Sequence, residues 1–183
     1  MKDDSVYKPS GLPVRGGGTS RFPSLSMIVN RQKEALLLDV SISMSDRVDG
    51  VRKIDRLREA ILPFREVRRF VFSSYCYEVT EIPEPNNTTA LHHGLETVKG
   101  AGVNHIILVT DGQPDSEDMA FKATSGLKIN AIFVGYSSDV RAQKFLQELC
   151  RRTGGRYGAT VLDLQGVKEL TSQIAGLLEG GVR

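Results

Sequence analysis

The stretch ALLLDVSISM, residues 35–44, decides the fold. It begins with a continuous apolar run, Ala35 to Leu38, that stops at Asp39. A run with no polar residue on either side is typical of a strand buried on both faces of a parallel sheet. Hydroxyl and apolar side chains alternate after Asp39. We therefore expect a buried strand that leads directly into a polar crevice.

Outward from this stretch, short apolar runs alternate with apolar residues at helical spacing. The runs predict strands at residues 35–38, 70–72, 77–82, 106–109, 131–134 and 156–160. The helical stripes predict helices at residues 51–61, 91–98, 117–125, 142–149 and 167–177. Such alternation implies right-handed crossovers and a mostly parallel sheet. The second and third strands are too close in sequence for a helix between them, so they should form an antiparallel pair at the sheet edge.

The predicted fold class is therefore α/β: a three-layer, doubly wound sheet of about six strands, with one antiparallel edge strand and helices on both faces. The length of 183 residues fits one domain. Residues 1–33 are rich in Gly, Pro, Ser and Thr and predict an N-terminal arm, so the domain itself would span residues 34–180.

Composition narrows the function class. No stretch approaches the roughly 18 apolar residues of a membrane helix, and residues 1–5 lack the apolar core of a secretory signal, so we expect a cytoplasmic protein. Cys76 and Cys150 are expected to be buried thiols rather than a disulfide framework.

A net charge of +2 is too small to indicate nucleic-acid binding. Basic and acidic residues crowd together between residues 46 and 69, which favours a solvated, mixed-charge face; the alternative is a docking patch for an acidic surface. The basic residues of this segment are Arg47, Arg52, Lys53, Arg56, Arg58, Arg65, Arg68 and Arg69.

Three polar clusters fall where ligands bind in open α/β sheets, at the carboxyl ends of strands. They are Asp39–Met44, Asn87–Leu91 and Val109–Pro114. All their candidate donors are oxygens, which suit Mg²⁺ or Mn²⁺ better than zinc. On an extended segment, the alternation Asp-x-Ser-x-Ser would direct three donors to one side.

Together the clusters resemble the metal-ion-dependent adhesion site of the von Willebrand factor A (vWA) family: a DxSxS motif, a threonine entering a helix and a strand-ending TDG. The resemblance covers about residues 33 to 180. It implies that Ser41 and Ser43 coordinate Mg²⁺ or Mn²⁺ directly. It further implies that Asp39 and Asp111 hold the ion largely through water, and that Thr89 joins when a ligand is engaged.

The sequence departs from the family pattern at two places. Ile42 stands where the family often has glycine, and Asn87-Thr88 stand where two glycines often precede the threonine. Neither change removes a donor. The second leaves Thr88 as an alternative to Thr89, which is preferred because the following Ala-Leu matches the family's helix entry.

The resemblance implies a binding module rather than an enzyme: an intracellular scaffold or adaptor whose ion accepts a Glu or Asp carboxylate from a partner protein. One alternative is a Mg²⁺-dependent phosphatase or phosphotransferase with Asp39 as nucleophile, although Ser41 stands where such an enzyme needs a general-acid aspartate. A nucleic-acid-associated vWA protein is the other, and the near-neutral charge speaks against it.

Overall fold

The computed structural model of the chain describes residues 33–179. The predicted arm, residues 1–33, lies outside the described part except for its last residue. Strands in the described part are β1 (Glu34–Asp39), β2 (Arg47–Val48), β3 (Val51–Arg52), β4 (Arg68–Phe72), β5 (Cys76–Glu78), β6 (His105–Thr110), β7 (Lys128–Val134) and β8 (Tyr157–Thr160). The α-helices are α1 (Lys53–Ile61), α2 (Leu91–Gly100), α3 (Glu117–Ala123), α4 (Val140–Thr153) and α5 (Leu164–Glu179).

One sheet carries the fold. Its strand order is β5-β4-β1-β6-β7-β8. All neighbouring strands run parallel except β5, which pairs antiparallel with β4 at the edge. The predicted six-stranded, mostly parallel sheet with one antiparallel edge strand is confirmed.

Two apolar cores lie on opposite faces of this sheet, because side chains alternate along each strand. Leu36 and Leu38 of β1 pack with apolar residues of α1 and α5. Ala35 and Leu37 pack with those of α2, α3 and α4. Each of these side chains is at most 1% exposed, and burying one leucine stabilises the fold by about 1.5–3 kcal/mol. The three-layer arrangement is thereby confirmed.

A small hairpin before α1 was not predicted. β2 and β3 pair antiparallel around Asp49 and Gly50, whose φ angles are 49° and 79°. Two successive positive φ values are typical of a tight hairpin turn, for which Asp-Gly is a preferred dipeptide. Because Val51 and Arg52 belong to this hairpin, α1 begins at Lys53 rather than at residue 51.

The third predicted strand is shorter than expected: it spans Cys76–Glu78 rather than residues 77–82. The chain leaves the sheet because the Arg58 guanidinium of α1 donates to the backbone carbonyls of Ile82 and Pro83, at 3.1 and 2.8 Å. The Ile82 side chain is 8% exposed and packs in the α1 core. Tertiary contacts here outweigh the local preference for an extended strand.

Both cysteines are free thiols, as predicted, but the expected burial is complete only for Cys150. Cys150 is buried and Cys76 is half-buried, and burial raises the pKa of each thiol to about 11. Among the described residues, no helix is long and apolar enough to cross a membrane.

Candidate metal centre

Two central strands bring their polar ends together at one edge of the sheet. β1 ends at Asp39 and β6 ends at Thr110, and the register places Leu38 opposite Val109. The strand order reverses at β1, which lies between β4 and β6. The chain adds β4 and β5 on one side of β1 and then β6, β7 and β8 on the other. The loops after β1 and β6 therefore meet at the position where open α/β sheets bind ligands.

The Asp39 carboxylate is fully buried, with 0% exposure. Its Oδ1 accepts the Ser41 backbone N–H at 2.8 Å, and its Oδ2 accepts the Thr110 hydroxyl at 2.5 Å. Burial raises the pKa of Asp39 from 3.8 to about 6; the Asp111 carboxylate acts in the same direction, and the hydrogen bonds from Ser41 and Thr110 act against it. Asp39 is thus held in one orientation, and its ionised form is stabilised by any nearby cation.

Two serine hydroxyls extend this polar set to a second carboxylate. Ser41 Oγ lies 3.1 Å from Ser43 Oγ. The Ser43 hydroxyl donates to Asp111 Oδ1 at 2.7 Å. Four of the five predicted ligands, Asp39, Ser41, Ser43 and Asp111, therefore form one connected group, which we call the oxygen cluster.

The backbone reaches this arrangement by a different route from the one predicted. The expected extended segment ends at Ser41 (φ −66°, ψ 165°), because Ile42–Ser45 form a 3-10 helix. This tight turn, rather than strand-like alternation, brings the Ser43 hydroxyl back beside that of Ser41. The intervening Ile42 side chain is 62% exposed.

Backbone hydrogen bonds join the loop before α2 to the loop after β1. The Ile42 N–H donates to Asn87 O at 3.2 Å, and the Asn86 N–H donates to Val40 O at 2.8 Å. Asn87 has a φ of 54°, in the left-handed region that asparagine tolerates better than most residues other than glycine. An asparagine can therefore stand at a position where the vWA pattern often has glycine.

The two threonines of this loop contact different groups. The Thr88 hydroxyl lies 3.1 Å from that of Ser74, and Thr88 is exposed. Thr89 is half-buried; its N–H donates to Asp115 Oδ1 and its carbonyl accepts the Asp115 N–H, both at 3.1 Å. Thr89 is thereby tied to the loop that contains Asp111. The hydrogen bonds of the oxygen cluster do not include the Thr89 hydroxyl.

Lys53 enters the site, and the sequence analysis missed it. Its Nζ lies 2.6 Å from Asp111 Oδ2, and the two side chains are 12% and 1% exposed. Burial acts to lower the pKa of Lys53, but the hydrogen bond and charge of Asp111 outweigh it, so the pKa is raised above 10.5. The interpretation of residues 46–69 as a solvated face is wrong for Lys53 and also for Arg56, which is 3% exposed.

Thr110 and Asp115 position groups of the site, although neither was among the predicted ligands. Alternation along β6 puts Thr110 on the same face as Ile106 and Leu108, and alternation along β1 puts Asp39 on that face too. The strand pattern combined with the parallel register could have identified Thr110. Asp115 reaches Thr89 through a loop, and no periodic pattern predicts that contact.

Solved structures with similar folds carry a common description. A von Willebrand factor type A structure from Catenulispora acidiphila has a TM-score of 0.60 and 16% identity, and the match covers 79% of this chain and 42% of that one. Manganese-loaded TRAP protein of Plasmodium vivax has a TM-score of 0.53 and 17% identity, covering 77% and 72%. The SpRpn10 VWA domain has a TM-score of 0.57 and 9% identity, covering 76% and 93%. The chain has a vWA fold.

Sequence comparison adds no closer assignment to this vWA fold. No protein-family model matches the chain, and a search of curated proteins gives no significant match. The chain spans 42% of the Catenulispora structure, which is less than half of that protein's length.

The chemistry of the oxygen cluster fits a hard divalent cation within this vWA fold. All its donors are oxygens, and residues 33–179 contain no group of three or more His, Cys, Asp or Glu side chains suited to a metal. An octahedral Mg²⁺ with oxygens at about 2.0–2.1 Å has ligand oxygens about 2.9 Å apart. The spacing of 3.1 Å between Ser41 Oγ and Ser43 Oγ, the two hydroxyls expected to bind the ion directly, is close to that separation.

Proposed function

We propose that this domain binds one Mg²⁺ or Mn²⁺ and uses it to hold a Glu or Asp carboxylate of a partner protein, as an adaptor or scaffold rather than an enzyme. The ligands would be Asp39, Ser41, Ser43, Thr89 and Asp111. The observation that carries the proposal is the oxygen cluster: two carboxylates and two hydroxyls, connected at distances of 3.1 Å or less, at the carboxyl edge of the sheet.

The charge of the ligand set supports capture of an outside anion. Asp39 and Asp111 are the carboxylates of the cluster, and the serine hydroxyls are neutral. Two carboxylates balance one divalent ion without adding excess negative charge. An ion held in this way still attracts a further carboxylate oxygen, whereas a cage of three or four carboxylates would repel it.

The loop geometry supports Thr89 over Thr88 as the fifth ligand. Thr88 is exposed, and its hydroxyl lies beside Ser74. Thr89 is half-buried, and Asp115 ties its backbone to the loop after β6. The backbone of Thr89 is therefore held beside the loop that contains Asp111.

The surroundings of Asp39 argue against the alternative in which it is a phosphatase nucleophile. Both carboxylate oxygens accept hydrogen bonds, and the side chain is 0% exposed. Ser41, which follows two residues later, has no acidic proton for a leaving group.

Selection of binding peptides tests the proposal. The domain would be immobilised in Mn²⁺, incubated with a displayed random-peptide library, and eluted with EDTA. We expect the enriched peptides to share an acidic residue whose change from Glu to Gln abolishes binding. Truncating one side of such a charge contact typically costs about 2–5 kcal/mol.

Two controls make this selection specific. Asp39→Asn keeps the size of the side chain, and bait with this change should enrich no EDTA-eluted peptides. Peptides that stay bound in EDTA, or that tolerate Glu to Gln, would count against carboxylate capture. Turnover of phosphate esters by the Mg²⁺-loaded protein, lost in Asp39→Asn, would instead favour the enzyme alternative.

A further inference from the structure

Lys53 occupies a position that a surface lysine does not normally take. It is the first residue of α1, and its ammonium contacts three oxygens: Asp111 Oδ2 at 2.6 Å, the Ser43 carbonyl at 3.4 Å and Asp46 Oδ2 at 3.5 Å. The Lys53 side chain is 12% exposed. Two of these three oxygens belong to residues of the oxygen cluster, so the ammonium and a bound ion would share neighbours.

The start of α1 gives Lys53 no local reason to point inward. A cation in the first turn of a helix is opposed by the helix dipole, and the N-cap residue, Arg52, makes no side-chain capping bond. Arg52 satisfies its own charge with Asp55 and Glu84, at 2.8 and 2.6 Å. Lys53 instead turns toward Asp111, which accounts for its placement against the local preference.

The charges at the site identify what this contact does. Asp39 and Asp111 carry two negative charges when ionised, and the Lys53 ammonium supplies one positive charge beside Asp111. A divalent ion must share Asp111 with the ammonium and is repelled by it. In the metal-free domain, the same ammonium offsets the repulsion between the two carboxylates.

We propose that Lys53 is a built-in cation of the metal centre, which weakens divalent-ion binding and stabilises the metal-free site. This inference rests on the proposed metal-dependent function and adds a determinant of affinity. The ion can then exchange, because the Lys53 ammonium offsets the repulsion between the Asp39 and Asp111 carboxylates when the ion leaves.

The test compares Mn²⁺ affinity by calorimetry in the full chain and in the variants Lys53→Met and Lys53→Gln. We expect both to bind Mn²⁺ at least tenfold more tightly than the wild type, a difference of about 1.4 kcal/mol. In EDTA both should unfold at a lower temperature than the wild type, and excess Mn²⁺ should remove this difference. Lys53→Gln retains a hydrogen-bond donor for Asp111, so it guards against misfolding of Lys53→Met.

The control is Lys128→Met, which makes the same change in net charge at the other edge of the sheet. Lys128 is exposed and begins β7, roughly 20 Å from the carboxyl edge at about 3.3 Å per residue. The Lys128→Met variant should bind Mn²⁺ with the same affinity as the wild type. A gain in Lys128→Met equal to that in Lys53→Met would mean that net charge alone is responsible and would overturn the inference.

The remaining outcomes separate the two proposals. Equal or weaker Mn²⁺ binding by both Lys53 variants, with normal binding by the wild type, overturns the role of Lys53 and leaves the metal centre standing. No Mn²⁺ binding by any of the proteins overturns both.

Discussion

Replacing Asp39 with Asn removes a buried charge and keeps the shape of the side chain, so it should stabilise the metal-free domain at neutral pH. The sign follows from the pKa of Asp39, which is raised from 3.8 to about 6 in the folded protein. Between these values the folded state binds the proton more tightly than the unfolded state. Ionised Asp39 therefore destabilises the folded state fully above pH 6, and this penalty disappears as the pH falls below 3.8.

The magnitude follows from the same two pKa values. Their difference, about 6 minus 3.8, corresponds to about 3 kcal/mol at about 1.36 kcal/mol per pKa unit. This difference already includes the hydrogen bonds from Ser41 and Thr110, which lower the pKa of Asp39, and Asn keeps a carbonyl for the Ser41 N–H. The expected gain at pH 7.5 is therefore about 3 kcal/mol. For a domain of this size it raises Tm by about 6–12 °C.

Urea unfolding in EDTA measures this effect at pH 7.5 and pH 4.0. Asp39→Asn should exceed the wild type in the free energy of unfolding at pH 7.5 and should differ from it by less than about 1 kcal/mol at pH 4.0. Glu96→Gln is the matched control, since Glu96 is exposed on α2 and its change should fall within about 0.5 kcal/mol. A less stable Asp39→Asn at pH 7.5, or a gain of equal size at pH 4.0, would refute the reasoning.

Four further perturbations follow from the site. Affinity for Mn²⁺ should fall about tenfold per pH unit below about pH 6, because the proton and the ion compete for Asp39; a flat calorimetric profile from pH 7 to pH 5 would contradict this. Thr110→Val removes the 2.5 Å hydrogen bond to Asp39 and should lower the free energy of unfolding by about 1–3 kcal/mol. Because this bond lowers the pKa of Asp39, its loss should also move the pH midpoint for Mn²⁺ binding upward. An unchanged midpoint would show that the bond does not affect the pKa of Asp39. Thr89→Ala should weaken binding of a selected acidic peptide more than binding of Mn²⁺, and equal losses in both titrations would count against its role with the ligand. Ser43→Ala should weaken Mn²⁺ binding at least tenfold while leaving Tm in EDTA within about 4 °C of the wild type, since Ser43 is half-buried.

The sheet could be predicted from the sequence because its central strands are apolar on both faces. Runs such as Ala35–Leu38 and Ile106–Val109 contain no polar residue, so each predicts a strand buried on both faces. All their residues are buried in the structure. The β2–β3 hairpin was missed because each strand has two residues, too few for a periodic signal, although Asp49-Gly50 marks the turn. The length of β5 depended on hydrogen bonds from Arg58, which lies in another element.

The site could be predicted in part, for a related reason. Asp39 and Asp111 end strands, so the sheet alone determines that they lie on one edge. The position of Ser43 depends on a 3-10 turn that the Asp-x-Ser-x-Ser pattern does not specify. Lys53 was hidden in a segment of mixed charge, where the sequence does not reveal which cation turns toward a carboxylate 58 residues away.

The central claim is that the oxygen cluster holds one divalent ion. Anomalous diffraction from a crystal of the domain grown in Mn²⁺ tests it most directly, because it locates the ion. We expect a single strong peak about 2.2 Å from the hydroxyl oxygens of Ser41 and Ser43, and its loss in Asp39→Asn crystals. A peak at another place on the domain, or no peak in the wild type at saturating Mn²⁺, would contradict the claim.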